Sequence, residues 1–287
     1  MTRNFREMLE AKWAEGKFVC VGLDSELSKL PASVDVLDLL RTRSMSETTA
    51  RITAFNMAIV DATRDLVCSY KPNFAFYLAQ GMAGFDALQR TVEYIRQVAP
   101  DVPIILDAKV ADIGNTNEGY VKFAFDQLEA DAITVHSYLG AEAMKPFLDR
   151  ADKGVIVLCR TSNPGAGEFQ ELLTTRNGAL YEYVARQVMR SWNANGNCCL
   201  VVGATVPEQL AEVRRITGDM PILIPGIGAQ GGDLEKTVAA GKDSRGRGMI
   251  INSSRSIIFA SSGEGFAEAA RHETLWLHGQ IQACLNP

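Results

Sequence analysis

Eight short runs of aliphatic and β-branched residues recur along the chain, each followed by sequence of helical or loop character. They are "FVCVGLD" (18–24), "VCSYKPN" (67–73), "VPIILDAK" (102–109), "AITVHS" (132–137), "GVIVLCR" (154–160), "CLVVGAT" (199–205), "PILIPGIG" (221–228) and "GMIINSSR" (248–255). Near-continuous Val, Ile and Leu is the pattern of strands buried on both faces, as parallel sheets require. Segments 83–99, 116–130 and 206–217 carry helical spacing between them. Eight βα repeats in 287 residues predict an α/β fold, a single (β/α)8 TIM barrel over 1–287. A doubly wound open sheet fits less well, because "GLDSEL" after the first run is not a Gly-rich phosphate loop.

Two segments stand outside the repeats. Residues 1–18 read as an amphipathic helix with Phe5, Met8, Leu9 and Trp13 on one side, and the long connection 25–66 reads as an elaboration after strand one. The N-terminus has no apolar h-region, and no apolar run reaches membrane-spanning length, so a cytoplasmic protein is expected. A net charge of −5 argues against nucleic acid or an anionic membrane as partner. The six cysteines form no CxxC pair, which points to buried thiols rather than a disulfide framework or a zinc site.

Polar residues gather where the strands end. Asp24, Lys71, Asp107, Lys109, His136, Ser137, Arg160, Gln230 and Arg255 all fall at or just beyond C-terminal strand ends, the face that carries the active site of a barrel. The densest cluster is in "ILDAKVADIGNT" (105–116), where Asp107, Lys109 and Asp112 follow an apolar run. Residues two apart on a strand point the same way, so Asp107 and Lys109 share a direction, with Lys71 on the neighbouring strand. Two ammonium and two carboxylate groups cost about as much to desolvate as they regain by pairing, so stability alone is a poor reason to keep them. A lysine between aspartates keeps its proton. It suits stabilising a carbanion and then protonating it. His136 has no nucleophile–base partner and reads as a hydrogen-bonded neighbour.

"LIPGIGAQGGD" (223–233) sets glycines and Gln230 after strand seven, ahead of a helix expected near Asp233, and Arg255 ends strand eight. Strands seven and eight are the habitual phosphate position of barrels, and glycine lets backbone N–H groups approach an oxyanion. "CRTSNPGAGEFQ" (159–170) has the Pro and Gly content of a mobile lid, with Ser162 able to meet a polar ligand edge.

The chain resembles the orotidine 5′-phosphate decarboxylase family. "DAKVADIGNT" matches its Asp-x-Lys-x-x-Asp-Ile-x-x-Thr signature, and the likeness continues through "VGLD", "YKPN", "CRTSNPG", "PGIGAQGGD" and "SRSI", in the manner of the longer bacterial branch. The resemblance implies decarboxylation of orotidine 5′-monophosphate to uridine 5′-monophosphate in pyrimidine biosynthesis, with no metal and no cofactor. It implies Lys109 as the acid that protonates C6, Asp107 near the scissile carboxylate, and Lys71 holding the charge row. Asp24 would bind ribose hydroxyls, Ser162 the pyrimidine edge, and Gln230 and Arg255 the phosphate. Asp112, with Ile113 and Thr116, would be donated across a homodimer interface. The shorter Asp-x-Lys-x-x-Asp is shared with related barrel enzymes on sugar phosphates. The alternatives from the residues are therefore a Schiff-base aldolase, a metal-assisted lyase, and a non-catalytic phosphoribosyl-ligand sensor.

Overall fold

The runs rich in Val, Ile and Leu become strands whose side chains are buried on both faces. The computed structural model describes residues 3–43, 45–175, 178–228 and 231–286. Its parallel strands are β1 (Val19–Leu23), β2 (Val67–Pro72), β3 (Ile105–Val110), β4 (Ala132–Val135), β5 (Gly154–Arg160), β6 (Cys198–Val202), β7 (Ile222–Pro225) and β8 (Met249–Ser253). Every position of β1, β2, β4, β6 and β8 is buried. The ladder runs β2–β1–β8–β7–β6–β5–β4–β3. Parallel bridges Tyr70–Ile104 and Asn73–Asp107 join its two ends, so the eight strands form a nearly closed barrel with helices between them.

Parallel neighbours need a crossover, and helices supply it. After β2 comes Gly81–Val98; after β3, Gly114–Val121, continued by a wider turn to Gln127; after β6, Pro207–Thr217. In the long connection after β1, helix Glu47–Thr63 is itself the crossover, capped by Ser46 Oγ accepting from Thr49 N–H at 3.1 Å. The elaboration proper lies before it: a 3-10 turn at Leu27–Lys29 and a short helix at Leu37–Arg43. The loop after β5 holds a small antiparallel pair, Leu173–Thr174 with Gly178–Ala179, that helical and strand periodicity did not reveal.

The N-terminal helix, Phe5–Ala14, closes the mouth of the barrel opposite the site. Phe5, Leu9 and Trp13 are buried, as its apolar side predicted, with Met8 partly so. Trp13 Nε1 donates to the Met249 carbonyl at 2.8 Å, at the start of β8. Phe5 lies against Gly154 at the start of β5, where a Cβ would sit 2.2 Å from its ring. With that end plugged, a ligand enters at the C-terminal ends of the strands. Among the described residues, no helix is long and apolar enough to cross a membrane.

Candidate active site

Asp107 is the centre of the site. Its Oδ1 accepts from Lys109 Nζ at 2.6 Å and from Thr134 Oγ1 at 2.8 Å, and its Oδ2 accepts from Lys71 Nζ at 2.7 Å. The Lys71 and Asp107 side chains are 4% and 8% exposed, whereas that of Lys109 is 46% exposed and reaches the cavity. Burial pushes the Asp107 carboxyl up, but Lys71 and then Lys109 outweigh it and hold it well below the usual carboxylate range. Burial likewise pulls Lys71 down, and Asp107, followed by Asp24, more than reverses this.

The backbone reaches this convergence by a route that strand alternation did not anticipate. Register in β3 shifts between Leu106 and Val110, and Lys109 has φ +52°, the left-handed region that side chains other than glycine seldom adopt. Its N–H donates to Thr134 Oγ1 at 3.0 Å rather than to a neighbouring strand. Backbone strain of this kind costs on the order of 1–3 kcal/mol and persists where surrounding contacts enforce it. Thr134, fully buried, provides that contact by bridging Lys109 to Asp107. It was the polar residue inside "AITV", the signal by which sequence reading could have found it.

A cavity of about 490 Å³ opens above the row. It brings together Asp24, Lys71, Asp107, Lys109, Ser162 and Arg255 of the expected site residues, from five different strand ends. Asn73, Thr161, Asn163, Gln170 and Asn252, which motif reading passed over, line it as well. Asp24 lines the cavity, and its Oδ1 is buried with no hydrogen-bond partner among the described residues. Gly22 in β1 permits this crowding at the β1–β8 seam, since a Cβ there would fall 1.9 Å from Ser254 Oγ. After β7, where a phosphate is expected from the sequence, Gly226 and Gly228 take φ +109° and +84°, and Asp233 caps helix Leu234–Gly241 as the sequence predicted. Arg255 makes no side-chain hydrogen bond or ion pair among the described residues. Gln230 lies outside the described residues.

Asp112, Ile113 and Thr116 do not line this cavity. Asp112 Oδ1 accepts from Ile113 N–H at 2.6 Å, and its backbone is held at both N–H and C=O by Asn117 at 2.8 and 2.7 Å. Ile113 is 55% exposed. His136 also stands apart, its Nδ1 accepting from Tyr138 N–H at 3.4 Å. All six cysteines are free thiols, five of them buried. Among the described residues no cluster of three or more His, Cys, Asp or Glu could hold a metal ion.

The charge row makes a pH prediction. Asp107 has a depressed value, so its stabilisation is complete above the unfolded carboxylate value near ~3.9 and fades as pH falls towards the folded one. Lys71 has a raised value, so its share is complete below the unfolded lysine value near ~10.4 and fades as pH rises towards the folded one. Lys71→Met strands a buried carboxylate with fewer partners and is expected to cost about 3 kcal/mol. In urea unfolding, that difference from wild type should stay flat between about pH 5 and 9. A difference that disappears within this window contradicts the ion-pair account.

Comparison with known proteins places this geometry. Residues 17–270 match the model of the "Orotidine 5'-phosphate decarboxylase / HUMPS family". The chain is 48% identical over 283 residues to the orotidine 5′-phosphate decarboxylase of Ralstonia pickettii, covering 98% of this chain and 99% of the relative. It is 46% identical over 279 residues to that of Cellvibrio japonicus, covering 97% and 98%. Among solved structures, the OMP decarboxylase of Leishmania donovani superposes with a TM-score of 0.79 at 34% identity, over 96% of this chain and 99% of that one.

Proposed function

The chain belongs to the orotidine 5′-phosphate decarboxylase family, a family of carboxy-lyases of pyrimidine biosynthesis, and from that premise we propose how its own residues carry the reaction. The substrate is orotidine 5′-monophosphate, the product uridine 5′-monophosphate, and neither metal nor cofactor takes part. The observation that carries this reading is the Lys71–Asp107–Lys109 chain of hydrogen bonds, with Lys109 half exposed at the floor of a cavity of mononucleotide size.

Decarboxylation breaks the bond between C6 and the carboxylate carbon, leaves the electron pair on C6, and releases carbon dioxide. The Lys109 ammonium stands ready to stabilise that pair and then transfer a proton from Nζ to C6. A charge already oriented by its hydrogen bond to Asp107 needs little reorganisation at that moment. Asp107 and Thr134 fix the direction of Lys109, and Lys71 keeps Asp107 ionised. The bond from Lys109 Nζ to Asp107 at 2.6 Å also disfavours a Schiff-base role, which requires a free neutral amine.

The remaining residues hold the substrate. Asp24, which lines the cavity, accepts from ribose hydroxyls. Ser162 meets the pyrimidine edge, and Arg255, together with Gln230, binds the phosphate. Asp112, Ile113 and Thr116 act in the cavity of a second copy. Their position outside their own chain's cavity supports this, as does exposed apolar surface at Ile113, Tyr138 (93%) and Leu139 (39%). These residues begin helices Gly114–Val121 and Gly140–Leu148, which Asn117 ties together through the Ala143 carbonyl.

Phosphate binding far from C6 matters only if its energy appears in the transition state. Wild type should therefore turn over orotidine 5′-monophosphate far faster than orotidine, and Arg255→Ala should lower kcat/KM for the phosphorylated substrate by about 10²-fold or more. Turnover of orotidine should be unaffected by the same substitution. Equal losses on both substrates would contradict a phosphate role for Arg255.

A further inference from the structure

Asp112 owes its position to one buried side chain. Asn117, in helix Gly114–Val121, is fully buried and meets the Asp112 backbone on both its polar groups. Asn117 Oδ1 accepts from Asp112 N–H at 2.8 Å, and Nδ2 donates to the Asp112 carbonyl at 2.7 Å. Nδ2 also donates to the Ala143 carbonyl at 2.6 Å, in the next βα unit on helix Gly140–Leu148. Both donors and the acceptor of the carboxamide are thereby used. Two carbonyls facing Nδ2 also fix which way round the amide sits. Neither a hydroxyl nor a carboxyl group offers two donors beside an acceptor.

These bonds hold the loop ahead of the helix. The helix begins after Ile113, whose side chain gives no cap, and Asp112 precedes it with its backbone in neither the β3 ladder nor the helix. Half-buried backbone of this kind needs partners, and the Asn117 carboxamide supplies both. Asn117 N–H closes the first helical turn on the Ile113 carbonyl at 3.0 Å, so the side chain is anchored to the helix it serves. With its N–H and C=O both held, Asp112 has little freedom in φ and ψ, and the direction of its Cα–Cβ bond is set. Its Oδ1 then takes the Ile113 N–H at 2.6 Å, and its Oδ2 makes no hydrogen bond among the described residues.

We propose that Asn117 is the positioning residue for Asp112. It does not line the cavity of its own chain, and its effect on the reaction passes through the carboxylate that a second copy receives. The bond to Ala143 sets this carboxylate against the neighbouring helix, so both halves of the donating surface move together. Misplacing a reacting or substrate-holding group by about 1 Å costs about 10²-fold in rate. This deepens the proposed function and rests on Asp112 acting across the dimer.

The test asks which chain of a dimer needs Asn117. Asn117→Ala and the milder Asn117→Ser, where a water can replace the carboxamide, should each turn over orotidine 5′-monophosphate about 10²-fold more slowly than wild type. Each is then unfolded and refolded with an equal amount of Lys109→Ala or of Asp112→Ala. With Lys109→Ala, about a quarter of wild-type activity should return, because the mixed dimer joins an intact Lys109 to an Asp112 held by an intact Asn117. With Asp112→Ala, activity should stay at or below that of the Asn117 variant. The reverse pattern would place Asn117 in its own chain's site and overturn the proposal. Recovery in both mixtures or in neither, full activity of the folded variants, or failure of both to fold overturns it too. A control mixture of Lys109→Ala with Asp112→Ala separates the two readings. If the control recovers, any of these failures belongs to Asn117 alone; if it stays inert, the role of Asp112 across the dimer fails and the positioning role with it.

Discussion

Replacing Lys109 by alanine is expected to lower kcat by about 10⁴-fold or more, because one side chain would lose both the proton donor and the positive charge facing C6. The protein should still fold. Asp107 keeps Lys71 at 2.7 Å and Thr134 at 2.8 Å, so no buried carboxylate is stranded. The Lys109 side chain is also half exposed, and its removal leaves little packing behind. Uridine 5′-monophosphate should still bind, since Arg255, Asp24 and Ser162 are untouched. Stopped-assay turnover and product binding by calorimetry, measured on the same preparation, separate these outcomes. Retained turnover would remove Lys109 from the chemistry, and lost binding would make it a substrate-holding residue.

The second large effect concerns Asp112. Asp112→Ala alone should be nearly inert, as should Lys109→Ala. When the two are unfolded and refolded together, however, about a quarter of wild-type activity should return, because half the dimers are mixed and each has one intact site of two. Such recovery requires Asp112 to serve a cavity other than that of its own chain. Its Oδ1 is engaged with the neighbouring Ile113 N–H, and it lies outside the cavity that Lys109 reaches. A mixture that stays inert would place the action of Asp112 within its own subunit.

Legibility in the sequence differed between scaffold and site for physical reasons. Strands buried on both faces leave near-continuous aliphatic runs, so all eight could be read, with several strand ends drawn too long. Two of those overshoots, at Asp24 and Asn73, are polar residues just beyond β1 and β2 that line the cavity. The charge row was legible because Asp and Lys at the end of an apolar run demand an explanation. How Lys109 reaches Asp107 was not, since the left-handed turn at Lys109 depends on Thr134, which lies 25 residues further along. The ion pair between Arg160 and Glu171 was invisible for a similar reason. Arg160 and Glu171 are 11 residues apart, with no periodicity linking them, and the Pro and Gly between them suggested mobility. Helix Glu47–Thr63 was folded into a long elaboration because its strong capping at Ser46 went unused as a boundary.

The most direct test of the central claim is to incubate wild-type protein with orotidine 5′-monophosphate in excess chelator and follow the ring absorbance as orotate becomes uracil. Complete conversion at a rate unchanged by the chelator is the expected result. Folded protein that leaves the absorbance unchanged, or converts substrate only when a divalent metal is restored, would contradict it.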